Sequence, residues 1–317
     1  MTTVARAARL HAHGDPLRVE QVDLARPEPG EVLVNLAFAA VNPVDRYGAA
    51  GKVAPDGPLP RTLGSEAAGT VGSRRVVVHG HGVGSTRDGV WASAAVVPEA
   101  ALVPVPDGVD LQHAAAMGVA GVTAWRTTTE LAKVSAGDLV LVLGASGGVG
   151  SMIVSLAAGL GATVVGQTGD AAKAGWVAAR GADRVVVGGP GDLVGAFDAA
   201  PPTVVFDPLG AQFTGRAVDV AAEGGRIVIF GTSAGADGTI PLQVLYRKGL
   251  TVFGYGGLIE PAAAITTGIG RALDALASGA MSVEIGAVAP LAGVNDALRD
   301  QADRRVLGKL VLDVRGA

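Results

Sequence analysis

The chain contains no cysteine among its 317 residues. Disulfides, thiolate metal ligands and a thiol nucleophile are therefore excluded. It also has no excess of basic residues. Twenty-five Lys and Arg stand against 29 Asp and Glu, for a net charge of −4. That balance argues against a phosphate-coating surface for nucleic acid. The opening residues Met1-Thr2-Thr3-Val4-Ala5-Arg6 lack the apolar core of a signal peptide, so a cytoplasmic protein is expected. Residues 139–169 carry no charge, yet they hold eight glycines and break into strand, turn, helix and strand, so a membrane span is not expected. No long linker, low-complexity tract or internal repeat is visible.

What is present is a glycine turn in a telling context. Leu139-Val140-Leu141-Val142-Leu143 is a short apolar run suited to a buried parallel strand. It leads into Gly144-Ala145-Ser146-Gly147-Gly148-Val149-Gly150, and Ser151-Met152-Ile153-Val154 then reads as the first turns of a helix. Glycines allow a tight turn and a close approach to phosphates, and free N–H groups at the helix start hold negative charge. The arrangement predicts a site for a dinucleotide pyrophosphate.

Further βα units follow. Residues 163–167, 183–187, 203–207, 226–230 and 250–253 read as strands. Residues 171–180 read as a helix closed by Gly181, and 261–278 as a last helix. This alternation predicts an α/β doubly wound parallel sheet, a Rossmann domain, over 118–284. The N-terminal third differs. Short β-like runs at 32–36, 69–71 and 75–78 are broken by Pro27-Glu28-Pro29-Gly30 and Asp56-Gly57-Pro58, which predicts a β-rich, partly open barrel. The strand expected at 307–314 has no helix after it and is expected to return to that first domain, giving 1–117 plus 285–317. His79 and His81, separated by Gly80, are expected in a solvent-exposed turn without a metal role.

Six motifs in order resemble the zinc-free medium-chain dehydrogenases/reductases, in particular their quinone oxidoreductase-like branch. They are Asn42-Pro43-Val44-Asp45-Arg46-Tyr47, Leu63-Gly64-Ser65-Glu66-Ala67-Ala68-Gly69, Gly121-Val122-Thr123-Ala124-Trp125, the glycine turn, Gly224-Gly225-Arg226-Ile227-Val228-Ile229-Phe230-Gly231, and Leu307-Gly308-Lys309-Leu310-Val311. The resemblance spans nearly the whole chain. It implies a GroES-like domain beside the Rossmann domain, and NADPH-dependent reduction of a quinone or an α,β-unsaturated carbonyl. Zinc-dependent relatives carry a cysteine near the Asn42 region and a histidine before Glu66. Here Ser65 precedes Glu66, and no zinc site of that kind can form.

By the same resemblance, Tyr47 is the proton donor or substrate partner, or a residue that only packs. Asn42 donates to ribose or substrate oxygen, or else caps a turn before Pro43. Asp45 and Glu66 are expected to hold loops in place. Thr123 faces the nicotinamide amide or caps backbone at a helix start. Ser146, Gly147, Gly148 and Val149 hold the pyrophosphate. Phe230, Gly231 and Thr232, beyond the carboxyl end of a strand, flank the nicotinamide. Lys309 is expected at the cofactor, and Phe253 and Tyr255 at the substrate. Thr168 leaves no carboxylate at the end of the second strand, and Lys173 aligns with the lysine that pairs with a 2′-phosphate. Asp170 and the glycine at 188, where the family often has a tyrosine, pull the other way. The region 69–91 is short for the family. The edge strand near 250–254 implies a homodimer. Two alternatives stay open: a reductase of an enoyl thioester or other biosynthetic intermediate, and an NADPH-binding structural or sensing protein without turnover. A short-chain reductase is disfavoured, since Tyr47, Tyr246 and Tyr255 have no lysine four residues on.

Overall fold

A computed structural model of the chain describes residues 3–316; Met1, Thr2 and Ala317, at the outer ends of the expected first domain, lie outside the described residues. The chain divides into two compact units. Unit 1 comprises Met1–Val122, Leu258–Ala277 and Val283–Ala317, and unit 2 comprises Thr123–Gly257 and Ser278–Ser282. The helix Ala262–Ala277 groups with unit 1, whereas the sequence pattern assigns it to the Rossmann domain. It packs on the helical turn Met117–Gly121 of the same unit.

Unit 1 opens with β1 (Thr3–Leu10) and β2 (Arg18–Leu24), which pair antiparallel. A long strand, β3 (Glu31–Val41), follows, and then β4 (Arg61–Thr62), β5 (Glu66–Val71), β6 (Arg74–His79), β7 (Ala94–Pro98) and β8 (Leu102–Pro104). β4 completes a three-stranded sheet, in the order β2-β1-β4. The core beneath these strands is aliphatic, with Leu10, Val34, Leu63, Val78 and Leu312 buried around Trp91. The Trp91 indole N–H donates to the Ala40 carbonyl at 3.1 Å, so its one polar atom is satisfied inside the core. Gly64, at φ +97°, presses against that ring, and a Cβ there would lie 2.3 Å from Trp91 Cδ1.

Unit 2 supplies β9 (Leu139–Val142), β10 (Thr163–Thr168), β11 (Arg184–Val187), β12 (Val204–Asp207), β13 (Arg226–Ile229) and β14 (Thr251–Gly254). All pair parallel, in the order β11-β10-β9-β12-β13-β14. This is the expected doubly wound sheet, with β14 at one edge. Its central strand β9 is apolar throughout, as suits a strand buried in a parallel sheet. The helix expected over 171–180 is shorter and divided: a 3-10 turn at Ala171–Lys173, then a helix at Ala174–Ala178. Gly181 follows at φ +105°, the left-handed conformation expected of a helix stop.

Two last strands belong to unit 1. β15 (Ile285–Pro290) pairs parallel with β16 (Lys309–Asp313), and β16 pairs antiparallel with β3. The seven-stranded sheet therefore runs β15-β16-β3-β5-β6-β8, with β7 also on β3. The return of the C-terminal strand to the first domain is as the sequence suggests. Among the described residues no helix is long and apolar enough to cross a membrane.

Candidate active site

In unit 2 the glycine turn is built as the sequence predicts. Gly144 turns the chain at φ +60° after β9, and Gly147 N-caps the helix Gly148–Gly159. No side chain caps that helix, so the first-turn N–H groups lack intrahelical partners and carry the positive end of the dipole. Gly150 lies against the turn; a Cβ there would stand 2.4 Å from the Gly144 carbonyl oxygen. Ser146, Gly147, Gly148 and Val149 are all partly exposed at this helix start. Uncapped donors at a helix start, with no Cβ at Gly147 or Gly148, fit a dinucleotide pyrophosphate.

A residue outside the sequence motifs holds the turn. Gln167, next to last in β10, is buried, with both ends of its amide committed. Its Oε1 accepts from the Gly144 N–H at 3.0 Å, and its Nε2 donates to the Gly188 carbonyl at 2.6 Å. It thereby joins the phosphate turn to the loop after β11. Thr168, buried at the end of β10, has its hydroxyl oxygen 3.5 Å from the Asp170 N–H. Asp170 caps the next turn, its Oδ1 accepting from Ala172 at 2.9 Å, and Lys173 ends that turn half-buried.

Phe230, Gly231 and Thr232 follow β13 at its carboxyl end. The Phe230 N–H donates to the Asp207 carbonyl at 3.1 Å. Asp207, at the end of β12, is fully buried, and its carboxylate accepts from Leu209, Gly210 and the Thr214 hydroxyl. Phe253 lies on β14 and Tyr255 just beyond it, with the Arg126 guanidinium 5.8 Å from the Tyr255 ring centre. Thr123 does not start a helix. It lies within a helical run over 117–131 that alternates π and α turns, and its carbonyl accepts from the Thr127 hydroxyl at 2.6 Å. Such π segments are frequent at functional positions.

Unit 1 gathers a buried polar cluster. Asn42 precedes the helix Pro43–Ala49, but its side chain does not cap it. The cap comes from Asp45, whose Oδ2 accepts from the Asn42 N–H at 2.8 Å. The Asn42 amide instead donates to Glu66 Oε1 at 2.7 Å and accepts from Lys309 Nζ at 2.6 Å. Lys309, expected at the cofactor, is thus held inside this cluster, with Glu66 Oε1 and the Val41 carbonyl each 3.4 Å away. Glu66 Oε2 accepts from the Val119 N–H at 2.8 Å. Tyr47 stands half-buried on the same helix, with the Arg46 guanidinium 5.1 Å from its ring centre.

Where zinc-dependent relatives carry histidine, the Ser65 hydroxyl donates to Asp45 Oδ1 at 2.8 Å. Burial pushes the Asp45 carboxyl up to about 6, against the lowering effect of its Ser65 and Asn42 donors. His79 corrects the sequence expectation. It ends β6 rather than lying in an exposed turn, and its Nδ1 donates to the Ser65 carbonyl at 2.8 Å. Burial holds its pKa below the usual histidine value. His81 does lie in an exposed turn, at φ +52°.

Residues 148–262 match the zinc-binding dehydrogenase family, and residues 28–107 match the alcohol dehydrogenase GroES-like domain. The chain is 28% identical over 304 residues to quinone oxidoreductase 1 of Escherichia coli, covering 89% of this chain and 90% of that protein. It is 30% identical to a thermostable alcohol dehydrogenase from Pyrobaculum aerophilum solved with cobalt and zinc, with TM-score 0.85 over 98% of this chain and all of that one. A mycobacterial protein solved with NADPH superposes with TM-score 0.85 at 25% identity, covering 97% and 99% of the two chains. The chain also matches a stretch of a phenolphthiocerol/phthiocerol polyketide synthase of Mycobacterium tuberculosis, 30% identical over 251 residues, where it spans 11% of that protein's length. The fold and the glycine turn define an NAD(P)-binding oxidoreductase. The chain belongs to the medium-chain dehydrogenase/reductase superfamily, and it has no cysteine to serve as a zinc ligand.

Proposed function

We propose that this chain is a zinc-independent NADPH-dependent reductase of quinones or α,β-unsaturated carbonyls. The observation that carries the reading is the uncapped, glycine-built helix start at Gly147–Gly148 in a chain that cannot form a thiolate metal site. When bound, the reduced nicotinamide would supply the hydride that adds to the electron-poor carbon of the acceptor. The chain's own residues do the rest. The turn Ser146–Val149 anchors the pyrophosphate, and Lys173 neutralises a 2′-phosphate. Thr123, Phe230, Gly231 and Thr232 orient the nicotinamide, and Phe253 and Tyr255 contact the acceptor. In unit 1, Asn42 donates to a ligand oxygen, which stabilises charge moving onto it. Tyr47 is the candidate proton donor for that oxyanion. The solved relative with NADPH supports this choice of cofactor.

The test is consumption of NADPH with a panel of benzoquinone, phenanthrenequinone and 2-hexenal. Binding of NADPH without oxidation by any acceptor, crotonyl-CoA included, would instead favour a structural or sensing protein. The match to a polyketide synthase segment keeps a thioester acceptor as the second reading, and turnover with crotonyl-CoA alone would select it. We further propose a homodimer through β14, to be checked by light scattering.

A further inference from the structure

The cluster of Asn42, Glu66 and Lys309 does more than fill space. All three are nearly inaccessible, at 3%, 0% and 4% exposure. An ammonium is a donor only and a carboxylate an acceptor only. Lys309 faces Asn42 Oδ1 at 2.6 Å, and Glu66 faces Asn42 Nδ2 at 2.7 Å. Flipping the amide would set its NH2 against the ammonium and its oxygen against the carboxylate, two repulsive contacts in a buried site. Lys309 has three protons and three acceptors, the third being the Val41 carbonyl. Glu66 is held from its other oxygen by the Val119 N–H. One Asn42 Nδ2–H has no partner among the described residues.

We propose that Glu66 and Lys309 are positioning residues that lock the Asn42 amide in one orientation, so that Asn42 meets bound molecules through a single N–H and never as an acceptor. Its partner is an oxygen acceptor, either a cofactor ribose hydroxyl or the carbonyl of the substrate. This rests on the reductase reading above for the identity of those molecules, but the lock itself is a property of unit 1.

The chain has only three asparagines, Asn35, Asn42 and Asn295, and Asn295 is occupied with the Leu17 backbone. Labelling asparagine with 15N therefore makes the side-chain NH2 of Asn42 assignable, with Asn42→Ala as the reference. On adding NADPH, or a quinone to the NADPH-loaded protein, one of its two N–H signals should shift while the Glu66-bound one stays in place. A shift with NADPH alone identifies the ribose hydroxyl, and a shift only with quinone identifies the carbonyl. Movement of neither signal, in a protein that binds NADPH, overturns the proposal. A double-mutant cycle gives an independent reading. Glu66→Gln/Lys309→Met, which removes both charges together, should lower NADPH affinity or kcat/KM for the quinone about tenfold in the parent, the loss of about one hydrogen bond. In the Asn42→Ala background it should change neither. Equal losses in both backgrounds would show that the pair acts on its own account. If no acceptor is reduced at all, the reductase reading fails, while the NADPH arms still decide the lock.

Discussion

The carboxylate of Asp192 stands where a side chain at Gly188 would begin. A Cβ at Gly188 would lie 2.2 Å from Asp192 Oδ2, which itself accepts from the Gly189 N–H at 2.8 Å. Gly188 also has φ +130°, a conformation costly for any other residue. Its substitution by alanine should cost about 1–3 kcal/mol in urea denaturation, the scale of a strained backbone position. Pairing that change with Asp192→Ser should recover part of the loss, because the Cβ contact goes while the backbone strain stays. A tyrosine of the family kind cannot be restored at 188 by a single substitution for the same reason.

Cofactor choice follows from the neighbouring turn. Asp170 uses its Oδ1 to cap Ala171–Lys173, and asparagine caps a turn as well as aspartate does. Asp170→Asn should therefore keep the fold, remove one negative charge and move preference toward NADPH. Lys173→Ala should weaken NADPH binding by about 1–3 kcal/mol, the scale of a hydrogen bond to a charged group, and leave NADH nearly unchanged. Titration calorimetry with both cofactors checks this; equal losses would show that Lys173 does not read the 2′-phosphate.

Activity should not need metal. The chain has no cysteine, and the Ser65 hydroxyl is engaged with Asp45. Dialysis against a chelator should leave turnover unchanged, and elemental analysis should find no stoichiometric zinc. Zinc at one per chain, with activity lost on its removal, would contradict the reading.

Stability should respond to pH through two groups whose shifts have opposite effects. Asp45 has a carboxyl raised from 3.8 to about 6 by burial, so the fold holds more protons than the unfolded chain between those values. Its contribution is fully present below about pH 4 and is lost as pH rises toward 6. The stability of Asp45→Asn relative to the parent should thus climb across that window, by as much as about 3 kcal/mol at 1.4 kcal/mol per unit. His79 is lowered by burial, so the unfolded chain takes up the extra proton and stability falls as pH drops below 6.5. His79→Asn should flatten that acid limb. Denaturant titrations from pH 4 to 7 separate the two.

Local patterns are legible in the sequence, and distant side-chain pairings are not. Glycine spacing with an apolar strand before it marks residues 144–150, because every part of that site lies within one βα turn. The strand Thr3–Leu10 gives no such mark, because its inward positions are mostly alanine, which carries little strand signal. Lys309 can be found as part of a motif, but its partner Asn42 lies 267 positions away, and Glu66 lies 24 from Asn42. No periodicity links residues so far apart. Gln167 is hidden for another reason. A polar residue inside an apolar strand gives no hint that both ends of its amide are spoken for by backbone at Gly144 and Gly188.

The assembly of unit 1 from three separate stretches sets an order of events during synthesis. The six strands of unit 2 come from one continuous stretch, 139–254, and can pair as soon as that stretch has left the ribosome. β3 cannot complete its pairing so early. Residues 38–41 face β16, which is made some 270 residues later, and Leu17 waits for Asn295, 278 positions on. Closing loops of that length is slow, and an unpaired strand edge invites association in the interval. The first part of the chain to emerge is therefore the last to be finished, and substitutions that weaken β16 should show themselves first as poor yield of soluble protein.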